Sequence, residues 1–271
     1  MEEKFRISYK SETTLNTNVI DDLKTLINRF EFLLQFLSSK EDFDKEKFSQ
    51  TLEEKLNENI TLNDYTNIAL ENLINSKLKI LIKKAFLSLL EINPELLADE
   101  LTNYNVVAKK SLRSRLHLMY YWASSLENQF GKEKTLELFK EYIDRMTESG
   151  LRPIKKVEHL SKLVSSSEDF TGEFKDGFDL IAFKLDEGRV GMKISRCKWI
   201  EVLSEIADPD YMYAIACHYD FLAVTMMNPN FELTRTTSLG SGGKCCDFIW
   251  HDKRFDSQVR HENEDFWKTI Q

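Results

Sequence analysis

The chain has 271 residues, 42% of them hydrophobic and 30% charged, with a formal net charge of −8. That is enough apolar material for a core without disulfides. The acidic balance excludes a protein whose main work is gripping phosphate backbones, because such affinity rests on dense Lys and Arg. The start, MEEKFRISYK, has neither the apolar segment nor the cleavage site of a signal peptide, and no run of about 18 apolar residues follows. A cytoplasmic protein with no membrane contact, no nucleic-acid partner and reduced thiols is therefore expected.

The first half reads as helices. Val19 to Leu37 carries Leu23, Leu26, Ile27, Phe30, Leu33 and Leu34 at helical spacing. Asp42 to Leu56 is a shorter, more polar candidate. Thr61 to Leu90 reads as one helix or two, capped by Thr61, and Pro94 opens a short helix at its first turn. Ala108 to Phe130 follows, and Gly131 is a stop signal. The basic run Lys109 to Arg115 is read as one solvated turn of this helix. Lys132 to Thr147 is amphipathic, through Leu136, Leu138, Phe139, Tyr142, Ile143 and Met146.

After Gly150 and Pro153 the pattern changes. Ser165 to Gly177 looks like a connection. Phe178 to Leu185 reads as a strand, Asp186-Glu187-Gly188 as a hairpin turn, and Val190, Met192 and Ile194 as one face of the returning strand. Two helices come next, Lys198 to Ile206 and then Asp208 to about Met226, with Asp208 as N-cap and Pro209 behind it. A second hairpin closes the chain, with Phe231, Leu233, Arg235 and Thr237 on one strand face. The order strand-strand-helix-helix-strand-strand predicts an α+β fold: a helical N-terminal half followed by a small antiparallel sheet domain. The expected domains are a helical region, 1–107, and an α+β domain with helical lead-in, 108–271.

The chain has four cysteines and no CxxC pair. Strand alternation puts Cys246 on the face of Phe248 and Trp250 and Cys245 on the other. Arg235, on an apolar strand face, either needs an inward anionic partner or reaches past the rim to solvent. Tyr213, Cys217 and Asp220 are spaced to share one helical face. Asp220 reads either as a base or orienting group for the thiol or as the partner of an arginine, and Cys217 either as a reactive thiol or as a small buried hydrophobe. Cys197 sits where a strand hands over to a helix. Backbone amides there, with Arg196 and Lys198 alongside, are expected to lower its pKa, unless it is simply a core cysteine. No metal site is expected. Zinc held by Cys197, Cys217, Cys246 and a fourth donor is the alternative, which the irregular spacing disfavours.

The succession Arg196-Cys197, Cys217 with Asp220, Arg235-Thr236, Gly242-Gly243 and Cys246-Asp247-Phe248 resembles the L-2-amino-thiazoline-4-carboxylic acid hydrolase family. The likeness runs from about Lys109 to Asp252. It implies hydrolytic opening of a cyclic amidine-like ring to an N-carbamoyl cysteine, read here as attack on an amidine- or amide-type C–N bond of a small carboxylate-bearing substrate. In that scheme Cys246 is the first choice of nucleophile, Cys217 the second, and Asp220 the base or water-orienting group. Arg235 would hold the substrate carboxylate, Gly242 and Gly243 would offer an anion-binding nest, and Tyr213 would line the site. The other readings are a biosynthetic cyclase or acyl-transfer enzyme acting on a tethered intermediate, and a non-catalytic small-molecule or metal-binding sensory module. A protein partner or second copy is expected on the helical N-terminal region.

Overall fold

The computed structural model describes residues 2–68, 76–163, 176–255 and 258–270. It is an α+β protein that divides into two compact units, one of residues 12–152 and one of residues 1–11 with 153–271. The expected boundary at 107/108 differs from this division. The helices from 108 to 148 belong with the helical unit, and the first strand of the chain, β1 (Glu2–Ile7), belongs with the sheet.

The helical unit opens with a two-stranded antiparallel ribbon, β2 (Thr14–Thr17) against β3 (Tyr104–Val107), which the sequence reading did not anticipate. Between them lie α1 (Val19–Ser38), α2 (Lys45–Asn59) and α3 (Lys77–Leu89); α4 (Ala108–Ser124) and α5 (Glu127–Glu148) follow. The Asn18, Asp44 and Ser76 side chains each accept backbone amides at the first turn of their helix, as N-caps do. The helix expected from Thr61 is thus replaced by one starting after Ser76; residues 69–75 lie outside the described residues. Pro94 opens no α-helix, and a short 3-10 turn forms at Ala98–Leu101 instead. The apolar stripes meet in a core where the Phe30 ring lies 5.1 Å from that of Trp122. Gly131, at φ 72° and ψ 164°, kinks α5 where a stop was expected.

The sheet unit holds five antiparallel strands in the order β1-β4-β5-β7-β6, with β4 (Phe178–Lys184), β5 (Arg189–Cys197), β6 (Phe231–Thr234) and β7 (Cys246–Asp252). Both expected hairpins are present. The expected connection from Ser165 falls largely outside the described residues. The added edge strand β1 comes from a six-residue stretch that has no hairpin partner in sequence, so only tertiary pairing reveals it.

Registers Ile194↔Cys246, Met192↔Phe248 and Val190↔Trp250 align the alternating residues of β5 and β7. One sheet face packs Leu180, Ala182, Met192, Ile194, Phe231, Leu233, Cys246 and Phe248 into a core with Val224. The other buries Phe183 and Ile249 against Trp267 and Ile270 of the C-terminal segment, around α9 (Glu264–Thr269). Gly191 makes this second face possible, since a Cβ there would meet the Phe183 ring at 2.4 Å.

Between β5 and β6 run α6 (Lys198–Leu203), α7 (Pro209–Met212) and α8 (Tyr219–Met227). Asp208 caps α7 as expected. The single helix expected from Asp208 to Met226 is interrupted by a π-turn over Tyr213–Cys217, where the His218 amide donates to the Tyr213 carbonyl at 2.9 Å. Such wide turns re-aim side chains and recur at functional sites.

Candidate functional site

Three of the four thiols converge on the apolar sheet face. Cys246 is the first residue of β7, 5% exposed. Cys217 ends the π-turn and is 6% exposed. Cys197 caps α6 and packs on the same cluster. The three are near enough for each to oppose ionisation of another. Cys245 faces the opposite side, near Lys193, as strand alternation requires.

The glycine turn lies over these sulfurs. The Leu239 amide donates to Cys246 Sγ at 3.3 Å, and the next amide, Gly240, donates to the Cys217 sulfur. Gly240 must be glycine for steric reasons: a Cβ there would lie 2.5 Å from Cys217 Sγ and 3.2 Å from Ile200 Cδ1. Gly240, rather than the expected Gly242 and Gly243, is the glycine that the sulfur requires. The Gly242 amide donates to the Leu239 carbonyl at 3.1 Å and the Gly243 amide to the Ser238 carbonyl at 2.8 Å. Both are spent closing the turn, which corrects the expected anion-binding nest. Gly242 has a turn role of its own, at φ 84°.

Arg235 follows β6 directly and turns inward, which decides between the two readings left open for it. Its side chain is 2% exposed and pairs with Asp220 at 2.7 Å through Nη1, while Nη2 donates to the Cys217 carbonyl at 3.2 Å. The rings of Phe221, Phe248 and Tyr213 surround it, at 5.0, 5.1 and 5.4 Å from Cζ. Two of its nitrogens thus serve Asp220 and the Cys217 carbonyl, so the guanidinium expected to grip a substrate carboxylate already holds partners within the chain. Asp220, with its side chain 31% exposed, is the solvent-facing member of the pair.

The thiols are strongly perturbed. Burial pushes Cys246 up to about 12, against the pull of the Leu239 amide and Arg235. Burial pushes Cys217 up to about 12 as well, helped by Asp220 and opposed by Arg235 and the Gly240 amide. Cys197 is also pushed well above the ordinary thiol range, chiefly by burial, although the Ile200 and Trp199 amides pull it down. The expected lowering is thus overturned by desolvation. Its charged neighbours point elsewhere. The Arg196 guanidinium stacks 3.7 Å from the Tyr9 ring and bonds Glu201, while Lys198 Nζ donates to the Lys10 carbonyl at 2.9 Å.

Behind the thiols, Asp247 is 2% exposed and takes the Thr236 and Thr237 amides at 2.9 and 2.8 Å. Burial would raise its pKa, but bonds from His261, the Thr236 hydroxyl and these two amides hold it below the ordinary carboxylate range. A polar residue alternating with Cys246 and Phe248 was the available signal for it. Nothing in the spacing points to His261, whose contact with Asp247 is purely tertiary.

Among the described residues, no group of three His, Cys, Asp or Glu side chains is arranged to hold a metal ion, so the zinc alternative finds no ligand set there. No helix among them is long and apolar enough to cross a membrane.

The residues of the motif succession thus lie together in one α+β unit, with the Arg235–Asp220 pair and the glycine turn beside Cys217 and Cys246. The family model for L-2-amino-thiazoline-4-carboxylic acid hydrolase matches residues 112–250, just over half of the chain, and the protein belongs to that family. No curated protein and no solved structure matches it.

Proposed function

We propose that the protein opens a small carboxylate-bearing heterocycle by hydrolysis at its amidine carbon, with Cys246 as nucleophile, Cys217 as the second candidate and Asp220 as base. The observation that carries this reading is the convergence of the Arg235–Asp220 pair with the Cys217 and Cys246 thiols under one turn. The family's printed name supports the ring class.

Thiols with pKa near 12 are protonated at neutral pH. Attack by sulfur therefore needs its proton taken up as the S–C bond forms, and Asp220, which bears electrostatically on both thiols, is the acceptor at hand. The proton on Asp220 passes to the departing ring atom as its bond to the amidine carbon breaks, and water then displaces the enzyme thiol from that carbon to leave the carbamoyl product. The same protonated thiols favour a second reading, in which Asp220 activates water directly and the sulfurs only line the site.

Atom balance bears on the bond broken. In a 2-aminothiazoline the amidine carbon carries one sulfur and two nitrogens. A product carbamoylated on nitrogen requires C–S scission and frees a thiol, whereas C–N scission leaves the carbamoyl on sulfur and frees an amine. The expected C–N cleavage and an N-carbamoyl product are therefore alternatives.

Single variants Cys246→Ser, Cys217→Ser and Asp220→Asn, assayed on a 2-aminothiazoline carboxylate with thiol and amine release followed separately, test the reading. Loss of about a hundredfold or more in Cys246→Ser and Asp220→Asn is expected. Loss in Asp220→Asn alone selects direct water activation. Full activity in all three variants removes the site.

A further inference from the structure

On the face of the sheet opposite Cys197, Cys217 and Cys246, five side chains form a continuous hydrogen-bonded chain. Asp247 Oδ1 receives the Thr236 and Thr237 amides, and Oδ2 receives the Thr236 hydroxyl and, at 3.1 Å, His261 Nε2. His261 Nδ1 lies 3.0 Å from Thr234 Oγ1, and His251 Nε2 lies 2.9 Å from the same oxygen. With neutral imidazoles the proton directions close in one way. A carboxylate only accepts, so His261 Nε2 donates to Asp247. Its Nδ1 then carries a lone pair, so the Thr234 hydroxyl donates to it and accepts in turn from His251 Nε2.

This chain is joined to the thiol face through the backbone. Asp247 and Cys246 are consecutive and point to opposite faces. Thr236 and Thr237, held by Asp247, link Arg235 to the turn whose Leu239 and Gly240 amides hold Cys246 and Cys217. Fixing these two threonines therefore fixes Arg235 and, through it, Asp220, while also closing the turn over the sulfurs. His261 lies beyond the matched segment 112–250 and belongs to the C-terminal stretch, where its ring stacks on Trp267 at 5.7 Å.

We propose that Asp247 and His261 form a clamp that positions the 235–240 segment over the thiols, so that His261 is a positioning residue for the site. The kinetic part of this inference rests on the hydrolase reading above. The clamp itself can be read without turnover. His261→Phe keeps an aromatic ring against Trp267 and removes both hydrogen bonds, and His261→Gln restores a donor to Asp247. In the folded protein, alkylation of each cysteine by iodoacetamide is followed by mass spectrometry, with Cys197 as internal reference because it lies at the start of α6, outside the 235–240 segment.

In His261→Phe, Cys217 and Cys246 are expected to alkylate about fivefold faster or more through local opening, with Cys197 unchanged. The kcat for ring opening should fall about tenfold while KM stays within about twofold. His261→Gln should recover much of both. Unchanged labelling of Cys217 and Cys246, or a parallel rise at all three cysteines, overturns the clamp. Absence of ring opening by the wild-type protein overturns the hydrolase reading instead and leaves the labelling result decisive for the clamp.

Discussion

Arg235 and Asp220 form an ion pair of 2.7 Å in which the arginine is almost wholly buried and the aspartate about one-third exposed. The cation organises and the anion is presented. Arg235 also bonds the Cys217 carbonyl, so it ties the end of β6 to the π-turn. Replacement by Met removes this ion pair from Asp220 and this donor from the carbonyl. Breaking a fully buried pair costs about 3–5 kcal/mol. Solvent screening at Asp220 discounts that to about 2–3 kcal/mol here. Urea unfolding of Arg235→Met measures it, and Arg235→Lys should recover little, because one ammonium cannot reproduce both contacts of the planar fork. An unchanged midpoint in Arg235→Met would contradict the assigned role.

Gly240 leaves no room for a Cβ beside the Cys217 sulfur. Gly240→Ala should destabilise by about 1–3 kcal/mol through overpacking. Because the nearest clash is with the sulfur, Cys217→Ala in the same chain should relieve part of the cost, giving a coupling of about 1 kcal/mol in a double-mutant cycle. Additive costs would show that the turn yields rather than presses on the thiol.

The buried thiols predict alkaline sensitivity. Cys217 and Cys246 rise from an ordinary 9.0 to about 12 on folding. Between those values the folded protein retains protons that the unfolded chain releases, so stability falls as pH rises. The contribution is intact below about 9 and erodes above it, by up to about 1.4 kcal/mol per pH unit for each thiol. Thermal midpoints at pH 7 to 10, compared with Cys217→Ala/Cys246→Ala, measure the slope. Equal slopes in both proteins would contradict the assignment.

Asp247 predicts the opposite limb. Its folded pKa is depressed below the ordinary 3.8, so its stabilisation is present above that value and is lost as pH falls through the folded pKa. Asp247→Asn should be less stable than wild type at pH 7, and the difference should shrink below pH of about 4. A difference that does not change with pH would mean that the charge of Asp247 contributes nothing.

Local pattern determined much of this protein. The alternation of Val190, Met192 and Ile194, the hairpin turn at Asp186–Gly188, the stripe of α1 and the opposite facing of Cys245 and Cys246 follow from periods of 2 and 3.6 residues acting on neighbours in sequence. The motif succession carried the family. Tertiary structure decided what depends on partners distant in the chain. β1 joins β4 across some 170 residues, and His261 reaches Asp247 from a segment without periodicity. The Gly242 and Gly243 amides close their own turn, while those of Leu239 and Gly240 meet the sulfurs. Arg235, a candidate substrate grip in the sequence, is also the buried partner of Asp220, and its placement beside three aromatic rings and a carboxylate arises only when β6 packs on the π-turn. Ionisation of the thiols was likewise beyond the sequence: amides near a helix start pull a pKa down, and only the packed structure shows that burial prevails.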